Sequence, residues 1–251
     1  MDDSAIRAHV NAINDCNQRG GRMLSLIDLL AAGTVDLELA AYLAAAMRQG
    51  ASLLVGARPG GAGKTAVMCA LLNFLPDRTA IRAVDSQAVL NAGLRDGRYG
   101  DTCYLAHEIG AGYYYAYVWG GQARAFFRLA AQGHIVASNL HADTLEETHD
   151  QLCRENGVDP AHLGAVVLKL YLRVERALSG VRRRVSHVYE SDGKQDCLIW
   201  TGDRSGTFTR KADSRLVPPE EEQRYAEFLI TLRQRGILHI GDIRRALVQP
   251  A

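Results

Sequence analysis

The sequence predicts an α/β fold built on a parallel sheet, and three observations carry that prediction. Short apolar runs alternate along the chain with stretches of helical period. One of those runs, "ASLLVG" at 51–56, passes through the glycine-rich "ARPGGAGKT" directly into an apolar helical stretch. The 251 residues, 47 % hydrophobic and 23 % charged, also suffice for one sizeable core with a small appendix.

Residues 1–22 are polar, end in Gly20-Gly21 and read as a loosely held lead-in. "DLELAAYLAAAMRQG" follows as a helix. Asp36 caps it, Leu39, Tyr42, Leu43, Ala46 and Met47 form one face, and Gly50 ends it. After the strand at 51–56, "KTAVMCALLNFL" is helical up to Pro76. "TAIRAVD" (79–85), "TCYLAHE" (102–108) and "GHIVASNL" (133–140) read as strands. Thr144 and Glu147 form a capping box for "LEETHDQLCREN", and Asp159-Pro160 opens a further helix through about Leu172.

Near 180 the pattern changes. "RRRVSHVYE", "SDGK" and "DCLIW" read as a hairpin with "GTFTRKA" as a third strand. "PPEEEQRYAEFLITLRQRG" is a helix with Tyr225, Phe228, Leu229 and Leu232 on one side, and "GDIRRALVQ" is a short closing helix. The expected division is a lead-in (1–22), a core (23–180) and a C-terminal hairpin-and-helix appendix (181–251).

Composition bounds the class. Lys and Arg total 29 against 28 Asp and Glu, so net charge gives no argument for or against nucleic acid. Five scattered cysteines with no C-x-x-C suggest neither a disulfide framework nor a zinc knuckle. The acidic opening, without an apolar segment, is not expected to act as a signal peptide, and no run reaches the ~18 apolar residues of a membrane span. A reduced, cytosolic compartment is the expectation.

The chemistry concentrates in Pro59, Gly60, Gly61, Ala62, Gly63, Lys64, Thr65 and Ala66. A helix N-terminus offers unpaired amides and a positive dipole end, and glycines let that backbone wrap an anion closely. In G-x-x-x-x-G-K-[ST], the lysine reaches the β- and γ-phosphates and the hydroxyl serves magnesium. Arg58 stands at the first glycine position.

"CYLAHEIG", ending in Glu108-Ile109, and "GHIVASNLHADTLEE", a strand ending in His141, follow the loop in that order. Together these segments resemble the ATPases of the type II/type IV secretion superfamily, motors of secretion systems, pili and archaeal flagella. The segment before the loop and the tail "YAEFLITLRQRGILHIGDIRRAL" are similar to that family's archaeal-type branch. The likeness spans about 23–248 and leaves no room for the family's separate N-terminal domain, so none is expected.

The resemblance implies a RecA-like P-loop core binding ATP and Mg²⁺. By that likeness Lys64 and Thr65 serve phosphate and magnesium, and Glu108 ends the Walker B strand, placing magnesium or the attacking water. Asp85 matches the acidic box after the second strand, and His141 a γ-phosphate sensor. Arg95 and Arg98 are candidates for arginines reaching a neighbour's site, with two solvated loop arginines as the equal alternative. The expected assembly is a hexameric ring at the inner face of the membrane, partnered by secretion or pilus components.

The chain departs from the family at Arg58, at Gly110, where an arginine is usual, and in the long spacing from Glu108 to Gly133-His134. That spacing leaves open "YYYAYVW" as the true strand, with no acidic residue at its end. Two functions of other classes stay open: a nucleic-acid motor or helicase loader, and a degenerate protein that binds nucleotide without turnover. His149 and Cys153 share a helix face as a weak metal pair, and a buried thiol beside a surface histidine is the favoured reading. The run Arg182-Arg183-Arg184 reads as a solvated strand start rather than a nucleic-acid patch.

Overall fold

The structure is a computed structural model that describes residues 2–17, 20–177 and 180–249. Its elements run α1 (Asp3–Asn14), α2 (Leu26–Ala31), α3 (Leu37–Arg48), β1 (Leu53–Gly56), α4 (Lys64–Leu72), β2 (Ala80–Ala83), α5 (Gln87–Gly93), β3 (Thr102–Ile109), β4 (Tyr117–Val118), α6 (Gly121–Ala131), β5 (Ile135–Leu140), α7 (Leu145–His149), α8 (Pro160–Gly164), β6 (Leu168–Ala177), β7 (Gly180–Ser191), β8 (Asp196–Gly202), β9 (Phe208–Arg210), α9 (Pro219–Gln234) and α10 (Ile240–Val248). Residues Asp150–Glu155 continue α7 as a π-helix.

One sheet holds the strands in the order β2-β3-β5-β1-β6-β7-β8-β9, with β4 beside the end of β3. Strands β2, β3, β5, β1 and β6 are parallel, and β6 to β9 pair antiparallel. The sheet therefore runs unbroken through the change of character near 180. Its two faces bury separate cores, as a doubly covered parallel sheet must. Leu53 and Val55 face α1–α4, α9 and α10, while Leu54 faces α5, α6 and the residues around α8. Among the described residues no helix is long and apolar enough to cross a membrane.

Several elements form as the sequence predicts. Asp36 caps α3 by accepting the Leu39 amide at 2.9 Å, and residues 39–47 of that helix are all buried. The 182–200 hairpin exists as β7 and β8, and β9 supplies the third strand. Thr144 caps α7 through the Glu147 amide at 3.2 Å. The reciprocal half of the capping box is missing, because Glu147 turns to Asp143 and Arg58 instead.

Three expectations are corrected. The lead-in is not loose: Asp2 caps α1, which buries Ile6, His9 and Ile13. The helix from Asp159 ends at Gly164, and 168–177 is strand β6, paired on both sides. An apolar run buried on both faces does not reveal its period, and here the pairing edge of β1 decides it. The 111–132 stretch is the crossover between parallel strands β3 and β5, with α6 as its helix. Only Tyr117 and Val118 of "YYYAYVW" are strand, so β3, carrying Glu108, is the sheet strand.

The C-terminal helix anchors the phosphate-loop helix. Arg244 of α10 is fully buried and donates to Asn73 O (3.0 Å), Leu75 O and Pro76 O (3.2 Å), carbonyls just past the end of α4. A cation there answers both the unpaired carbonyls and the negative dipole end.

Candidate functional site

The loop 57–63 leaves β1 at the sheet's C-terminal edge and opens onto α4, where Gly63 is the N-cap residue at φ +92°. Gly56 is the position that admits no side chain. A Cβ there would lie 2.5 Å from Ala142 O and 2.8 Å from the Tyr171 ring. Position 58 makes no such demand, since its φ is not positive. Arg58 instead gives its amide to Asp143 Oδ1 (2.8 Å) and its guanidinium to both Glu147 oxygens (3.0 and 2.7 Å). That pair is partly exposed and contributes at most about 1 kcal/mol. Its effect is to tie the loop to the segment carrying His141.

Lys64 folds back over the loop. Its Nζ donates to Ala57 O at 3.0 Å and stands 3.3 Å from Glu108 Oε1, with both side chains about nine-tenths buried. Glu108 is aimed there by an irregularity in β3, whose pairing with β5 shifts between Ala106 and Ile109. Such a bulge re-aims a side chain at the cost of a ladder bond. His141 Nε2 lies 3.6 Å from the same Glu108 oxygen, its side chain half exposed.

Between β3 and β1, β5 carries a residue the sequence reading missed. Asn139 is fully buried; its Nδ2 donates to His107 O (2.8 Å), inside the bulge, and lies 3.3 Å from Thr65 Oγ1. Its Oδ1 has no hydrogen-bond partner. An amide among the mostly apolar residues of "IVASNL" was the available signal.

Lys64, Thr65, Glu108 and His141 thus converge at the C-terminal ends of β1, β3 and β5, where α/β sheets bind ligands. The other expected residues do not join them. Asp85 is exposed beyond the end of β2, three strands from β1. Arg98 pairs with Asp96 through two 3.0 Å contacts, before β3 begins and hence at the opposite edge from Glu108. Arg95 is exposed in the same loop. His134 of the Gly-His pair lies there too, with Nε2 3.1 Å from Asp96 O and its ring against Tyr99 and Tyr104. His149 and Cys153 approach to 4.0 Å. No group of three metal-ligating side chains occurs among the described residues.

Beside the loop opens a cleft of about 390 Å³, lined by Arg58, Gly110, Trp119, His141, Glu147 and Gln151 among others. The loop amides offer anion ligands. Thr65 Oγ1 and the Glu108 carboxylate, which faces Lys64, offer the hard oxygen donors magnesium takes when phosphates and water complete its shell.

No protein-family model matches the chain, and no curated protein sequence matches it. Among solved structures the chain is similar to the VirB11 ATPase from the Brucella suis type IV secretion system in complex with sulphate. That match has 19 % identity over 72 % of this chain and 63 % of the other, at a TM-score of 0.45. It is also similar to the ATPase DotB of Yersinia pseudotuberculosis (11 % identity, 87 % and 62 % covered, TM-score 0.45) and of Legionella pneumophila (11 %, 91 % and 67 %, TM-score 0.41). The chain therefore spans less than two thirds of the length of the first two. The first is by name a type IV secretion ATPase, the kind of protein the sequence motifs resemble.

Proposed function

We propose that the chain binds and hydrolyses ATP as a motor of the type II/type IV secretion superfamily, with a RecA-like core. The observation that carries this reading is the meeting of Lys64, Thr65, Glu108 and Asn139 around one glycine-rich loop at one sheet edge. Triphosphate seats on the loop amides and the α4 N-terminus, and Lys64 exchanges Ala57 O and Glu108 for phosphate oxygens. Glu108, released from Lys64, orients a water and takes its proton. The water oxygen bonds to the γ-phosphorus as the bond to the bridging oxygen breaks, giving ADP and phosphate. Asn139 holds the bulge carbonyl and Thr65 in register, and His141 faces Glu108 from the neighbouring loop. Thr65, with Glu108 near, would hold a magnesium ion, which when bound would supply charge neutralisation on the phosphates.

Arg95 and Arg98 lie too far along the sheet to act within their own subunit, so their proposed role is across a homo-oligomeric, hexameric ring. Asp85 is proposed as an outer acidic group. The ring would act at the cytoplasmic face of a membrane with secretion or pilus components, through an ATPase core at 23–180 and an appendix at 181–251.

The test is steady-state ATPase activity against protein concentration for wild type and Lys64→Ala. Activity rising more than proportionally with concentration and lost in the variant is expected. ATP binding without turnover at any concentration would replace this reading with the binding-only one, and stimulation by DNA with the nucleic-acid motor.

A further inference from the structure

We propose that Arg183, on the β6–β7 hairpin, is a ligand of the terminal phosphate of the nucleotide bound by its own subunit. The inference rests on the nucleotide reading above and adds a residue to it. Strand β6 pairs with β1 up to Tyr171 opposite Gly56, then continues beyond the sheet edge with only β7 beside it. Arg183 pairs with Val174 there, three residues past Tyr171, or about 10 Å beyond the point where the loop begins.

The side chain lies over the loop. Its Nε donates to Gly61 O at 2.8 Å, and its Cδ would be 3.2 Å from a Cβ at Gly63. Alternation along the strand separates it from its neighbours. Arg184, on the other face, bonds Glu175 (2.8 Å) and Arg204 O (2.9 Å), and Arg182 is opposite Glu175 in the register.

Charge then distinguishes Arg183 from the cations of the loop itself. Lys64 faces Glu108, and Arg58 holds Glu147 in a bidentate pair. Arg183 makes one hydrogen bond, through Nε, and has no carboxylate partner among the described residues, so both terminal amino groups of its guanidinium are uncommitted. A guanidinium fixed by Nε with its fork free is arranged to grip a phosphate. The hairpin meets the loop from beyond the sheet edge, and the outermost phosphate is the one assigned to it.

Titration of fluorescent ATP and ADP analogues into wild type, Arg183→Ala, Arg183→Lys and Lys64→Ala tests this, with thermal melting alongside. Arg183→Ala should weaken ATP by about tenfold and ADP by less than about threefold, with lysine recovering part of the loss and the melting temperature unchanged. An equal loss for both nucleotides, or ATP affinity within about twofold of wild type, overturns the assignment. Absence of saturable binding to wild type overturns the nucleotide reading and this inference together. Binding by wild type that Arg183→Ala leaves intact overturns the inference alone.

Discussion

Acid should loosen this protein through one buried histidine, His9 of α1. His9 is 5 % exposed, neither ring nitrogen has a well-formed hydrogen bond, and Arg244 is nearby. Burial first, and the Arg244 charge second, lower its pKa from 6.5 to about 3, against smaller opposing effects of the Leu72 backbone and Asp77. The unfolded chain therefore holds a proton that the folded chain does not, throughout the window between those values. Stability falls as pH falls through 6.5 and stops falling from this source below about 3. Between pH 7 and pH 5 the loss is about 2 kcal/mol, at 1.36 kcal/mol per unit. Urea unfolding of wild type and His9→Leu at both pH values measures it. Burial also lowers the pKa of His187, whose effect has the same sign but is common to both proteins. Asp28, held to about 2 mainly by Arg22, loses its contribution only as pH falls below 3.8, outside the compared range. The wild type should lose about 2 kcal/mol more than the variant. Equal losses would mean that α1 does not hold His9 in the core and that the corrected view of the lead-in is wrong.

Other perturbations follow from the same packing. Arg244→Met leaves three carbonyls beyond α4 without their donor and should cost about 3 kcal/mol, roughly 6–12 °C in melting temperature; a loss below about 1 kcal/mol contradicts the capping role. Gly56→Ala drives a Cβ into Ala142 O, so it should cost about 2–3 kcal/mol and weaken nucleotide binding. Near-wild-type stability there would show that the 142 segment yields freely. Asn139→Ala should lower kcat while leaving KM for ATP nearly unchanged, since its contacts are to His107 O and Thr65 rather than to the loop amides. A KM effect alone would relocate Asn139 to ground-state binding.

What the sequence disclosed, and what it hid, both have physical reasons. The loop, β3, β5 and α3 were legible because each is marked locally: glycines before Lys64, a strand ending in Glu108, Asp36 as cap. Strand β6 was not, since Leu168-Lys169-Leu170-Tyr171-Leu172 is buried on both faces and its polar member, Lys169, pairs with Asp196 from β8. Helix α1 hid its stripe because one of its three buried positions is His9. Asn139 and Arg183 could be placed only by the fold. One gains meaning from lying between β3 and β1, the other from a hairpin register that sets it apart from two adjacent arginines. Asp85 shows the reverse, a residue named by motif order that the fold sets three strands from β1, while Arg95 and Arg98, expected to serve a neighbour's site, lie away from their own Lys64.

The most direct test of the account is a single-turnover measurement. Concentrated wild type and Glu108→Gln are mixed with substoichiometric γ-labelled ATP, and bound ATP and released phosphate are followed together. The account predicts that both bind ATP and that only wild type releases phosphate, because the role proposed for Glu108, which faces Lys64 at 3.3 Å, is to orient the water rather than to hold the nucleotide. Phosphate release at the wild-type rate from Glu108→Gln, or none from wild type that binds ATP, would contradict it.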